Sequence, residues 1–449
     1  MTRATAGDVL LAHGVPTVAP LPIPLSYAVT GAALALVLSF VILGIAWRQP
    51  RFRGDESGRP LPRVLARPVD SPVTRGCLQT VVLAFALYVA VAATLGPDSL
   101  ENPTFGVVYV LLWVGLVAVS VLIGPIWSVV NPLRTLHRVL ALLSRTDPDL
   151  NPRDLPSRLG HWPAAFGLYA FVWLELAAPN PSQLGPLRLW FALYASAMII
   201  GASVYGRRWF AAADPFEMYS AVVGRLSPFG RRTDGMLVVR NPLENLDGLR
   251  PAPGLTATMA VLLGSTAYDS IQSTTAWITF VQSSSVSQVL WQTLGLSASC
   301  LFVFVSFAGA AMLSGLAGRT PTTRLTSLPG RYAHSLVPII VGYVVAHYLT
   351  FLVLVGQQTI VRLSDPLARG WNVFGTADLS VSNDLLAHPT AIATTQVVAV
   401  VTGHVLGIVS AHDRAVRLLP ASAALRGQLP LLIVMILYTV AGLLLLLLA

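Results

Sequence analysis

The sequence predicts an all-α fold, a polytopic transmembrane helix bundle of about ten spans with the N-terminus and the C-terminus outside. Three observations predict it. Of the 449 residues, 54% are hydrophobic and only 11% are charged, whereas soluble globular chains carry about 25% charge. Apolar runs of the ~20 residues that a bilayer crossing needs recur along the chain. The 29 basic residues, all Arg with no Lys, gather in alternate connecting loops.

The apolar runs fall near 24–47, 77–96, 105–127, 162–179, 186–206, 255–281, 288–315, 333–361, 391–412 and 429–449. Residues 1–23 read as an external arm and 24–449 as a single transmembrane domain. The arm has no apolar run of signal-peptide length, so the first helix is expected to be retained. The fourth span is the shortest, and its Glu175 is expected to snorkel to the outer interface. Orientation follows from arginine, because loops kept in the cytoplasm accumulate positive charge. With the N-terminus outside, the loop after span 1 brings seven Arg inside, Arg48 to Arg75. The loops after spans 3, 5, 7 and 9 add five, seven, three and three, leaving only Arg3, Arg188, Arg362 and Arg369 outside. The formal charge of +9 is therefore topology. It suits contact with anionic membrane lipids rather than with nucleic acid.

The stretch 48–76 is rich in Arg, Pro and Gly and reads as a cytoplasmic linker. Segments 131–145 and 214–227 open with Asn131-Pro132 and Asp214-Pro215, side chains that cap a helix followed by a ring suited to its first turn. Both continue as short amphipathic stretches and read as interfacial helices. Their likeness suggests an internal duplication, as transporters often contain. Cys77 and Cys300 lie at or inside apolar segments and read as packed, reduced thiols, too few for a disulfide framework.

Ionisable residues deep in the membrane are costly and mark function by default. Asp269 lies 14 residues into span 6, near the bilayer centre, and Ser265, Gln272 and Ser273 share its helix face. His347 in span 8 and His404 in span 9 reach a similar depth. His334, His412 and Asp413 lie together by depth at the cytoplasmic ends of the same spans. Asp269, His347 and His404 would suit a divalent metal such as zinc with one open position for water. The same three groups could instead relay protons, since imidazoles as a class titrate near neutral pH. They could also simply tie helices together. The loop 362–390 is the longest external segment and a candidate lid, and His13 is a lone external imidazole. No Gly-rich phosphate loop ending in Gly-Lys-Ser/Thr, no His-Glu-x-x-His helix and no Gly-x-Ser-x-Gly elbow occurs.

A set of short stretches carries a family resemblance. They are Ala12-His13-Gly14, Pro103-Thr104-Phe105, Asn131-Pro132, Trp162-Pro163-Ala164, Leu226-Ser227-Pro228, Gly264-Ser265 leading to Asp269, His334-Ser335-Leu336, Ala346-His347-Tyr348, Gly356-Gln357, Ser364-Asp365-Pro366, Gly403-His404 and Ala411-His412-Asp413. Over essentially its whole length the sequence resembles the actinobacterial polytopic membrane proteins labelled fenitrothion hydrolase. The resemblance implies a bacterial plasma-membrane protein and hydrolysis of a neutral phosphorothioate triester at its aryl ester bond. It transfers no catalytic roles, but it places Asp269, His347, His404, Ser265, His334, Gln357, His412 and Asp413 inside or beside the shared motifs.

The residues favour a transporter-like protein handling a small molecule or ion, with a metal-dependent membrane hydrolase as the alternative and a structural assembly protein as the third reading. The topology is directly testable. After Cys77 and Cys300 are replaced, a single cysteine placed within 48–76 should react with a membrane-impermeant maleimide only in inverted vesicles. Labelling in intact cells would reverse the orientation.

Overall fold

A computed structural model describes residues 23–145, 152–316 and 324–448. The expected external arm up to residue 22, with His13, lies outside the described residues. The longer helices are α1 Leu25–Ala46, α2 Pro72–Leu95, α3 Pro103–Ile123, α4 Pro132–Leu143, α5 Trp162–Leu176, α6 Leu184–Tyr205 and α7 Pro215–Val223. There follow α8 Leu255–Gln272, α9 Thr275–Ser283, α10 Gln288–Leu316, α11 Leu336–Leu363, α12 Pro389–Leu418 and α13 Leu429–Leu448. Among the described residues, eight helical segments are long and apolar enough to cross a membrane. The chain is an all-α, multi-pass membrane protein. It divides into two compact units. The first holds Gly58–Arg240 and Phe351–Ser382, and the second holds residues 23–57, Asn241–Thr350 and 383–448.

In the first unit an aromatic core forms where Phe171 of α5 meets Trp113 of α3, Phe216 of α7 and Trp190 of α6 at ring separations of 5.2–5.3 Å. The two capped helices meet residue for residue. Asn131 accepts from the Leu133 and Arg134 backbone N–H groups, and Asp214 accepts from those of Phe216 and Glu217. Across the contact Asn131 Nδ2 donates to Asp214 Oδ2 at 2.7 Å, and Arg134 holds Glu217 with two hydrogen bonds of 2.6 and 2.7 Å. Both pairs are separated by 83 residues. The second helix, however, is not interfacial: α7 is buried at nearly every position, because α3 and α5 cover it. Glu175 is likewise buried rather than snorkelled, since α5 is an inner helix. Cys77 is exposed, not packed, whereas Cys300 is buried as expected.

Hydrogen bonds between loops fix which loops share an end of this unit. Asn131 follows α3 and Asp214 follows α6, so the chain between them crosses an even number of times. Because α6 crosses once, α5 must carry the chain back, although its 15 residues span only about 22 Å. Protein, not lipid, surrounds most of it, which makes the short crossing tolerable. At the opposite end the Leu184 N–H reaches Asp98 Oδ1 at 2.7 Å. The Arg-rich segments also supply a small antiparallel sheet, with β1 Arg59–Pro60 and β2 Phe229–Arg231 flanking β3 Leu237–Val239. Thus the loops after spans 1 and 5 lie at one end, as the arginine pattern requires.

In the second unit α8 and α10 pack closely, and α1, α12 and α13 pack against one another. One end is built from Arg-bearing loops. Arg414 binds Asp247 at 2.8 Å and the Arg331 carbonyl at 3.2 Å, while Arg417 reaches both Asp247 and Asp413. The expected span 255–281 is broken. The Ser273 and Thr274 hydroxyls turn back to the carbonyls of Ser270 and Ile271, and Thr274 then caps α9 by accepting from the Trp277 N–H. Hydroxyls that compete with the backbone in this way end helices.

Asp214 supplies a test of the first unit. Burial pushes its carboxyl up to about 6 from 3.8 and the Glu217 charge adds to the rise, against the lowering pull of hydrogen bonds from the Glu217 backbone, Tyr194 and Asn131. A carboxyl that holds its proton more tightly folded than unfolded contributes its full stability below about 3.8 and loses it as pH rises through about 6. Two pH units correspond to at most about 3 kcal/mol. Thermal unfolding in detergent should therefore show wild type losing stability between pH 4 and 7 relative to Asp214→Asn. Parallel curves for the two proteins would contradict the shift.

Candidate functional site

The close approach of three helices in the second unit builds the site. A Cβ on Gly342 of α11 would sit 2.5 Å from the Ala399 carbonyl, and one on Gly403 of α12 would sit 2.5 Å from that of Pro338. A Cβ on Gly264 of α8 would meet the Cα of Cys300 at 2.6 Å. Small residues let membrane helices touch backbone to backbone in this way. Five residues beyond Gly264 and Gly342 stand Asp269 and His347, and His404 directly follows Gly403.

Asp269 and His347 come together. His347 Nε2 is 2.9 Å from Asp269 Oδ2, which also accepts from the Tyr348 hydroxyl at 2.8 Å, while Oδ1 accepts from Gln272 Nε2 at 3.0 Å. Asp269 is 1% exposed. The far side of the imidazole continues the network. His347 Nδ1 is 3.3 Å from Ser270 Oγ, and Ser270 Oγ is 2.9 Å from the Tyr343 hydroxyl. The Tyr343 ring stacks parallel to His347 and Tyr348 meets it edge-on. An ionised carboxylate only accepts, so Nε2 carries a hydrogen and, in the neutral ring, Nδ1 accepts from Ser270. Every donor in the chain Tyr343, Ser270, His347 then points toward Asp269.

His404 does not join this pair. Its Nδ1 faces the Val400 carbonyl of its own helix at 2.9 Å, and its Nε2 has no hydrogen-bond partner among the described residues. Among the described residues no group of three His, Cys, Asp or Glu side chains is placed to hold a metal ion. The expected zinc set of Asp269, His347 and His404 is therefore not assembled. Asp269 and His347 stand at one level, since they touch, but His404 points around its helix in a different direction.

The other expected residues separate as well. Ser265 bonds to the Leu262 carbonyl of its own helix and takes no part in the Asp269 network. His334 faces the carbonyls of Arg331 and Ser410, whereas His412 lies between Gln428 Oε1 and the Trp47 carbonyl. Asp413 accepts from Trp47 Nε1 at 2.9 Å and the Arg51 N–H at 2.6 Å. These three lie at the Arg-rich end as expected, where His412 and Asp413 both hold Trp47 while His334 serves a separate junction. Gln357 belongs to the first unit, where it exchanges hydrogen bonds with the Ser382 backbone. The loop that it anchors is also tied internally, with Asp365 accepting from the Arg369 and Gly370 N–H groups.

Ser270, Tyr343 and Tyr348 were not singled out from the sequence. Two signals could have found them: Ser270 follows Asp269 directly, and Tyr343 stands one helical turn before His347.

The pair is a stability test as well as a chemical one. Tyr348→Phe removes one donor from a buried carboxylate and should cost about 1–2 kcal/mol. His347→Phe should cost about 3 kcal/mol or more, because it leaves the buried carboxylate without its imidazole donor. Equal small effects in detergent unfolding would mean that the carboxylate is not held by this network. In comparisons with known proteins, no family model, no curated protein and no solved structure matches the chain.

Proposed function

We propose that the protein is a transporter-like protein of the bacterial plasma membrane, handling a small solute or ion, with the Asp269–His347 pair as its proton-binding centre. The observation that carries this reading is the 2.9 Å contact between a buried carboxylate and an imidazole on two helices of a membrane bundle. Such groups mark proton pathways in transporters. In the neutral ring Nε2 already carries the hydrogen that it donates to Oδ2, so a proton arriving at the pair is taken either at Nδ1 or by the Asp269 carboxylate. If the ring takes a second proton at Nδ1, that N–H donates to Ser270 Oγ, and the Ser270 and Tyr343 hydroxyls reverse. The chain has two hydrogen-bond directions, which is what a relay needs.

A second reading is favoured by the same hydrogen bonds. His347 stands between a serine hydroxyl and a carboxylate, the order used by serine hydrolases. It would give the phosphotriester hydrolysis implied by the family resemblance a nucleophile without a metal. Ser270 Oγ would form the new bond to phosphorus as its proton passes to Nδ1, and the aryl oxide would leave. Against it, Ser270 is 2% exposed and its hydroxyl already bonds Tyr343.

Proteoliposomes loaded with a pH-sensitive dye discriminate the readings. An external acid pulse, with charge compensated by valinomycin and potassium, should acidify the lumen through wild type. The rate should fall at least tenfold in Asp269→Asn and in His347→Gln. Release of nitrophenol from a nitrophenyl phosphotriester that disappears in Ser270→Ala would favour the hydrolase. Variants that lose only thermal stability would favour a purely structural role.

A further inference from the structure

A cavity of about 140 Å³ lies within the second unit, between α8, α10, α11, α12 and α13. Leu263, Ala267, Phe302 and Ile339 form much of its apolar wall, and His404 lines it as well. Three hydroxyl-bearing residues also reach it, but their hydroxyls are engaged elsewhere. Ser299 donates to the Gly264 carbonyl, Tyr343 pairs with Ser270, and Tyr438 pairs with Ser306. The imidazole of His404 is different. A carbonyl only accepts, so the Nδ1 that faces Val400 carries the hydrogen and Nε2 bears a lone pair. That lone pair has no partner, on a residue only 1% exposed. Because Nδ1 is turned to its own helix, the opposite ring edge is turned away from it.

A buried acceptor left unmatched is costly and is normally matched by something. Water is a poor candidate, since a held water needs two to four polar partners and the hydroxyl hydrogens on the cavity wall are engaged elsewhere. The matching occupant has one donor and an apolar remainder. Size narrows it further, because an engineered apolar cavity of about 150 Å³ accommodates benzene.

We propose that this cavity binds a single-ring hydroxyl compound of the phenol class, its O–H donating to His404 Nε2 and its ring lying against the apolar wall. The occupant reaches the cavity from the bilayer, because Phe302 on its wall is 61% exposed on the outward face of α10. This assignment does not depend on proton transfer at Asp269. It gives His404 a role that the expected zinc set had assigned otherwise.

Photolabelling tests it on the full-length protein in nanodiscs. With 4-azidophenol as probe, label should map to α8, α10 and α13. Phenol should displace it at about five- to tenfold lower bilayer concentration than toluene, the worth of one hydrogen bond. His404→Leu should erase that preference, and Ala267→Leu, which fills the cavity, should remove the label from these helices. Equal displacement by phenol and toluene in wild type overturns the proposal and needs no variant. So does label confined to other helices, or a preference that survives in folded His404→Leu.

Discussion

The backbone contact of α11 with α12, made at Gly342 and Gly403, is the constraint on which the second unit's chemistry depends. Two helices can come this close only where neither carries a side chain. Once they do, the residues near the contact have no freedom of depth. His347 is delivered to Asp269, and His404 is delivered to the cavity wall. Tyr343 and Ala346 pack with Val400, Ala32 and Leu443 in one buried cluster, so the apolar core and the polar chain are parts of one surface. An alanine at either glycine would push the helices apart and move both imidazoles together.

Buried polar groups must find partners inside the protein, and the two units meet this demand in the same manner. In the first, a carboxylate at a helix start collects backbone N–H groups, an amide and a phenol, with Asp214 at the centre. In the second, Asp269 collects an imidazole, a phenol and an amide. The difference lies in what stands beyond. Asp214 is closed in by fixed caps, whereas Asp269 opens through His347 onto a chain of hydroxyls whose hydrogens can turn.

Much of this was legible in the sequence. Arginine positions gave the loop parity that the hydrogen-bonded loops display within each unit, and apolar runs located the long helices. Counting at 1.5 Å per residue put Asp269 and His347 at one level, where they do meet. What counting could not supply was azimuth: a helix has one depth per residue but a full circle of directions, and His404 lies on the wrong arc for the pair. The break after Gln272 was also hidden, because Ser and Thr read as a polar stripe until their hydroxyls are seen bonding back to carbonyls. The small sheet was illegible for a different reason. Two- and three-residue strands have no measurable alternation, and those at Arg59 and Leu237 are brought together by helices far apart in sequence.

The brevity of α5 carries a consequence for how the chain is built into its membrane. A helix of about 22 Å is too short to partition alone into a hydrocarbon layer of about 30 Å, and it carries a buried glutamate as well. It becomes comfortable only after α3, α6 and α7 surround it and the Asn131 and Asp214 caps have met. The crossing of α5 is therefore conditional on its neighbours: a substitution that loosens α3, α6 or α7 withdraws the cover on which the short helix and its glutamate depend.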